Sequence, residues 1–102
     1  MSINPQKMER SIEQAYALTT ALANKNRLLL LCQLSAGELN VTELESATGI
    51  RQPTLSQQIG VLREQKIIQS RRDGKNIYYS ISNPVALEMI QLLYQHFCTS
   101  KR

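Results

Sequence analysis

Between Gln52 and Tyr79 the chain changes its hydrophobic period from that of a helix to that of a strand, the switch falling at Lys66. On the first side, Leu55, Ile59 and Leu62 recur at i, i+4 and i+7 and form one narrow stripe to be buried. Pro53 suits the first turn of that helix, where its missing N–H would have had no partner. Away from the stripe lie Pro53, Gln57, Gly60 and Glu64, flanked by Thr54 and Ser56, so short hydrogen-bonding side chains crowd the first two turns. On the second side, Ile68 precedes and Ile77, Tyr79 and Ile81 follow an Asp73-Gly74 pair, which predicts a hairpin with a type I′ turn. Arg71, Arg72, Lys75 and Asn76 cluster at its tip. A helix with a polar leading edge, followed at once by a basic hairpin, predicts a winged helix-turn-helix.

The flanking sequence supplies the rest of such a domain. Met8, Ile12, Ala15, Thr19 and Leu22 place a first helix over residues 6–23, and Asn24 and Asn26 are candidate caps for a second through Leu28 to Leu34, closed by Gly37. Thr42 and Glu45 have capping-box spacing for a short third helix that Gly49 ends, so the turn falls near Ile50-Arg51. Asn83-Pro84 starts a last helix running to about Cys98. The expected order is α-α-α-α-β-β-α, mainly helical, in one domain over residues 1–102. Val85, Ala86, Leu87, Met89, Ile90, Leu92, Leu93, Tyr94 and Phe97 cover most of the last helix's circumference. Such a helix is either central to the core or shared with a second subunit. A domain this small has little material to surround it, which favours a homodimer built on the first and last helices.

Composition is that of an ordinary globular chain, 42 % apolar and 20 % charged. A net charge of +4 and a pI near 9.3 favour a polyanionic partner without requiring one. Much of the surplus sits in the wing and at Lys101-Arg102. The first residues lack the apolar core of a signal peptide, and the longest apolar run is far short of a membrane span, so a cytoplasmic protein without membrane contact is expected. Double-stranded operator DNA is the expected partner. Gln52, Thr54, Ser56 and Gln57 are the candidates for base edges, Gln pairing best with adenine. Arg71, Arg72, Lys75 and Asn76 are the candidates for the phosphate backbone, with Arg51 and Lys25 as weaker ones. Each feature alone also fits a solvated helix face or a charged hairpin tip; their order in one stretch favours DNA.

The residues Leu55-Ser56-Gln57-Gln58-Ile59, Leu62-Arg63-Glu64, Arg71-Arg72-Asp73-Gly74 and Tyr78-Tyr79-Ser80-Ile81, with Asn26-Arg27-Leu28 upstream, resemble the ArsR/SmtB family of winged-helix regulators. The resemblance covers nearly the whole chain and departs at Gln58, where many members carry His. It implies a homodimeric bacterial repressor that leaves its promoter on meeting an inducer. Metal-sensing members carry cysteine clusters at the third helix or Asp/His ligands along the last. Here residues 39–44 hold no sulfur, and Glu88 and His96, eight residues apart, are not a recognisable ligand pair. No metal or other cofactor is expected.

Cys32 and Cys98 remain. On spacing alone either is a small buried hydrophobe. Within Leu31-Cys32-Gln33-Leu34 and His96-Phe97-Cys98, however, they resemble the thiol pair of the persulfide- and sulfide-responsive BigR/SqrR subgroup, to which HlyU-type regulators are similar. That resemblance implies a redox-sensing pair with a persulfide or polysulfide as inducer. The alternatives are a metal-responsive repressor using Cys32, Cys98 and His96, or a winged-helix protein-interaction module. A thiol enzyme is disfavoured, since there is no Cys-x-x-Cys and only one His to act as a base.

Overall fold

Four of the five helices start where the sequence offers an asparagine side chain to accept from the first unpaired N–H groups. In the computed structural model, which describes residues 3–98, Asn4 caps α1 (Pro5–Leu22), Asn24 caps α2 (Lys25–Leu34) and Asn83 caps α5 (Pro84–Phe97), each through its side-chain oxygen. Between them lie β1 (Leu39–Asn40), α3 (Val41–Thr48), α4 (Thr54–Glu64), β2 (Ile68–Asp73) and β3 (Asn76–Ile81). Residues 101–102, to which part of the basic surplus was assigned, lie outside the described residues.

The expected winged helix-turn-helix is present, with four local corrections. The sheet has three strands, in the order β1-β3-β2, because Leu39 and Asn40 pair with Tyr79 and Tyr78. Two residues are too few to show a period, so this strand left no mark in the sequence. Its pairing fixes Asn40 as extended, and the capping box is therefore Asn40 with Glu43, two residues before the expected Thr42 with Glu45. Gly37 does not close α2, which ends at Leu34 with Ser35 as its C-cap. The hairpin turn is also shifted. Asp73 pairs with Asn76, leaving Gly74-Lys75 as the connection, and only Gly74 has positive φ (64°). A type I′ turn needs two such residues; positive φ at the first central position alone is the type II′ pattern.

The core is one cluster. Leu30, Leu31 and Leu34 of α2 meet Leu44 of α3, Leu55, Ile59 and Leu62 of α4, Ile67, Ile68 and Tyr79 of the wing root, and Ala86 and Ile90 of α5. Gly49, at φ 75°, ends α3 and turns the chain toward α4. At the far end of α4 the chain leaves by a Schellman pair, with Ile67 N–H donating to Leu62 C=O and Lys66 N–H to Arg63 C=O, both at 3.0 Å. Lys66 takes the left-handed conformation (φ 61°) that glycine usually fills. Ile67 is buried beside Leu62 at the junction of α4 and the wing.

α1 is different. Of its 18 residues only Ala21 and Leu22 are buried, while Met8, Ile12 and Tyr16 are exposed along one side. The radius of gyration, 15.2 Å, exceeds the ~12.5 Å expected of a compact domain of this length. The first two turns of α1 stand away from the body.

Candidate nucleic-acid interface and thiol cleft

The side chains assigned to base edges stand at the start of α4, and the buried stripe aims them outward. Leu55, Ile59 and Leu62 turn into the core, so Ser56 and Gln57 are exposed and Thr54 is half-buried. Pro53 precedes the helix at the N-cap and provides no side-chain acceptor. Gln52 fills that role in part, its Oε1 accepting from Ser56 N–H at 3.2 Å. One of the four candidate base contacts is thus occupied as a cap.

The wing is less uniform than its sequence. Arg72, Lys75 and Asn76 are exposed, and Arg72 Nε donates to the Gly74 carbonyl at 3.4 Å. Arg71 points elsewhere. Its guanidinium grips the Glu38 carboxylate, with Nε 3.0 Å from both oxygens and a second nitrogen in close contact with Oε1. Asp73 lies 3.8 Å away, and the guanidinium sits 5.0 Å from the centre of the Tyr78 ring. Tyr78 is Arg71's cross-strand partner and also pairs with Asn40 of β1, so the fork spans all three strands. The Arg71 hydrogen bond holds the Glu38 carboxyl below the usual range, desolvation opposes it, and the Arg71 charge adds to the lowering. Glu38 went unread in the sequence because a carboxylate 33 positions from its partner has no local signature. Of the weaker candidates, Arg51 is exposed just before α4, whereas Lys25 lines a cleft between α2 and α5.

That cleft encloses about 440 Å³ and is walled by Leu28, Leu29, Leu93, Tyr94 and Phe97, with both cysteines in its lining. Cys32 is half-buried on α2, Cys98 is exposed at the C-cap of α5, and neither is in a disulfide. Burial in this apolar wall pushes the Cys32 thiol above its ordinary range, and the charge of a neighbouring Cys98 thiolate pushes the same way. Two sulfurs 66 residues apart in sequence are thus neighbours in one hydrophobic recess. His96 is exposed in the last turn of α5. Among the described residues no three His, Cys, Asp or Glu side chains converge as a metal site, and no helix is long and apolar enough to cross a membrane.

The whole arrangement has counterparts. A family model described as bacterial regulatory protein, arsR family, matches residues 24–70. A biofilm growth-associated repressor of Agrobacterium fabrum is 48 % identical over 91 residues, which is 89 % of this chain and 78 % of the relative. Among solved structures, the transcriptional repressor BigR from Xylella fastidiosa superposes with a TM-score of 0.85 at 41 % identity, covering 96 % of this chain and 100 % of that one. Reduced HlyU from Vibrio cholerae gives 0.88 at 35 % identity, covering 92 % and 99 %. With its fold and its sequence both shared across nearly the full length, the chain belongs to the ArsR family, as a winged-helix transcriptional regulator of the BigR and HlyU type.

Proposed function

We propose that the protein is a homodimeric repressor that binds operator DNA in its reduced form and lets go when Cys32 and Cys98 are bridged by a reactive sulfur species. The observation that carries this reading is the shared apolar cleft of the two free thiols. A cleft with sulfur on both walls suits thiol chemistry, in which one thiol resolves the adduct formed on the other. Relatives named as a repressor (BigR) and as reduced HlyU support both halves of the proposal.

The chemistry balances without a cofactor. The exposed Cys98 sulfur, as thiolate, attacks the outer sulfur of a persulfide RSSH; the S–S bond breaks and RSH leaves, so Cys98 becomes a persulfide. Cys32 then attacks the inner sulfur of Cys98, expelling hydrogen sulfide and closing a disulfide. Two thiols are oxidised and one persulfide is reduced to a thiol and a sulfide. A second persulfide equivalent, inserted before closure, would leave a longer sulfur bridge. In the DNA-bound state Thr54, Ser56 and Gln57, with Gln52 where its cap bond yields, face base edges, and Arg72, Lys75 and Asn76 face the backbone. The test is mass spectrometry of the reduced protein after exposure to glutathione persulfide, run beside operator binding. A bridge confined to Cys32 and Cys98 with parallel loss of binding is expected; loss of binding with both thiols unmodified would overturn the proposal.

Arg71 has a separate expected outcome. Held by Glu38, it stiffens the wing instead of reaching a phosphate. Glu38→Gln removes the charge that holds it, and is expected to steepen the slope of log affinity against log salt by about one unit. An unchanged slope in salt titrations of the variant would show that a released Arg71 does not reach the backbone.

A further inference from the structure

We propose that Arg27 is the positioning residue that carries the state of the thiol cleft to the reading helix, through its hydrogen bond to Gln58; this rests on the function proposed above. Arg27 Nη1 donates to Gln58 Oε1 of α4 at 2.8 Å across 31 residues of sequence. The same guanidinium donates to the Ala21 carbonyl at 2.5 Å and the Thr20 carbonyl at 3.4 Å, in the last turn of α1. Its own backbone N–H is held by the Asn24 cap at 3.0 Å. One side chain thus joins the end of the first helix, the start of the second and the middle of the helix that reads DNA.

The placement on α2 gives this link its consequence. Arg27 and Cys32 are five residues apart on one unbroken ten-residue helix. At ~100° per residue their side chains emerge about 140° apart. α2 packs against α4 and against α5, so it shows the guanidinium to the reading helix and the thiol to the cleft. The remaining contact between α2 and α4 is apolar, Leu30 and Leu31 lying in one buried cluster with Leu55 and Ile59. Apolar contacts are not directional and tolerate a small roll or slide; a hydrogen bond does not.

A direct Cys32–Cys98 disulfide requires Cα atoms roughly 4.4–6.8 Å apart. Where the reduced separation exceeds that span, closing it pulls one side of α2 toward the end of α5. Because the helix moves as a rigid rod, the opposite side turns with it, and Arg27 either drags Gln58 or loses it. Either result changes the pitch of α4 relative to its twin on the second half-site.

The experiment compares the full-length reduced and bridged forms of the wild type, Gln58→Leu and Gln58→Glu. Glutathione persulfide is the reagent, mass spectrometry verifies the bridge, and thermal melts confirm the fold. Affinity is measured on a DNA fragment selected by the reduced wild type from a random library. The wild type is expected to lose affinity on bridging by a factor within the usual allosteric range, about 5–150. Gln58→Leu should bridge as completely but show a reduced-to-bridged ratio within about twofold of one, because the sensing helix has lost its grip on the reading helix. Gln58→Glu should keep the wild-type ratio, since a carboxylate accepts the same bond with charge assistance. A purely structural role for Arg27 would weaken both forms of Gln58→Leu equally and leave its ratio at the wild-type value, which would overturn the proposal. Bridging of the wild type without release would instead overturn the function on which the relay rests, and the relay with it.

Discussion

Serine at either Cys32 or Cys98 is expected to leave the affinity of the reduced protein for its operator within about twofold, and to remove the persulfide response, about 5–150-fold in the wild type, entirely. The reduced state tolerates these changes for local reasons. Cys98 is exposed at a helix end, where a hydroxyl in place of the thiol meets solvent. Cys32 is half-buried, and a serine there can donate to the carbonyl one turn back along α2, as Ser and Thr do within helices. The two single variants differ in what remains. With Cys98→Ser, the surviving Cys32 stays in its apolar wall. Burial, the larger cause of its raised pKa, is retained, and only the smaller contribution of the Cys98 charge is gone. A raised pKa keeps the thiol protonated to higher pH, so its thiolate appears only as pH climbs through that raised value. Alkylation of Cys32 in the Cys98→Ser protein is therefore expected to be slow at neutral pH and to keep accelerating beyond the range of an ordinary thiol. Iodoacetamide rates across pH check this, and operator binding after persulfide checks the switch. Release of either serine variant by persulfide would show that the pair does not act as one device.

The parts of this molecule that were legible in its sequence are those fixed by short-range physics. The stripe Leu55, Ile59 and Leu62 is buried as its period requires. The switch of period at Lys66 coincides with the end of α4, and the Asn24 and Asn83 caps sit where their side chains can accept the first N–H groups. What escaped depends on partners remote in sequence. Asn40 with Glu43 and Thr42 with Glu45 both satisfy the spacing of a capping box, and only the pairing of Asn40 with Tyr78 decides between them. Arg71 has the composition of a phosphate contact, yet a carboxylate from before β1 claims it. The closeness of Cys32 and Cys98 followed from resemblance to a known thiol pair; no local pattern in either helix implies that the two share a cleft. The bond from Arg27 to Gln58 had no sequence signature at all.

Leu92→Glu is expected to turn the protein into a monomer at micromolar concentration and to lower operator affinity by about a thousandfold or more, toward non-specific binding. On α5, Val85, Leu92, Tyr94 and Phe97 are 49–81 % exposed, although Ala86 and Ile90 on the inner side are fully buried. On α1, Met8, Ile12 and Tyr16 are 40–70 % exposed, and Ile3 just before it is 57 % exposed. A helix with so little of itself packed is marginal in water unless something covers it, and apolar faces of this extent mark interaction surfaces. A second copy brings both faces at once, and two-fold symmetry makes each contact occur twice. Fully burying an exposed leucine contributes roughly 1.5–3 kcal/mol and Leu92 has 56 % of its surface left to cover, so losing the pair costs about 1.7–3.4 kcal/mol before the penalty of two unpaired carboxylates in an apolar seam. Ile12→Glu tests the other helix and should behave alike. Sedimentation velocity gives the oligomeric state, and circular dichroism separates dissociation from unfolding, because the inner face of α5 is untouched. A Leu92→Glu protein that remains a dimer with wild-type operator affinity would place the interface elsewhere. The effect on DNA exceeds that of any single contact for a geometric reason. A reading helix reaches one major groove, and successive grooves on one side of the duplex lie ~34–36 Å apart. Only a partner at fixed distance and angle brings the second reading helix to the next groove. In the proposed dimer that requirement would let a small turn of α2, repeated by symmetry in both subunits, release the whole molecule.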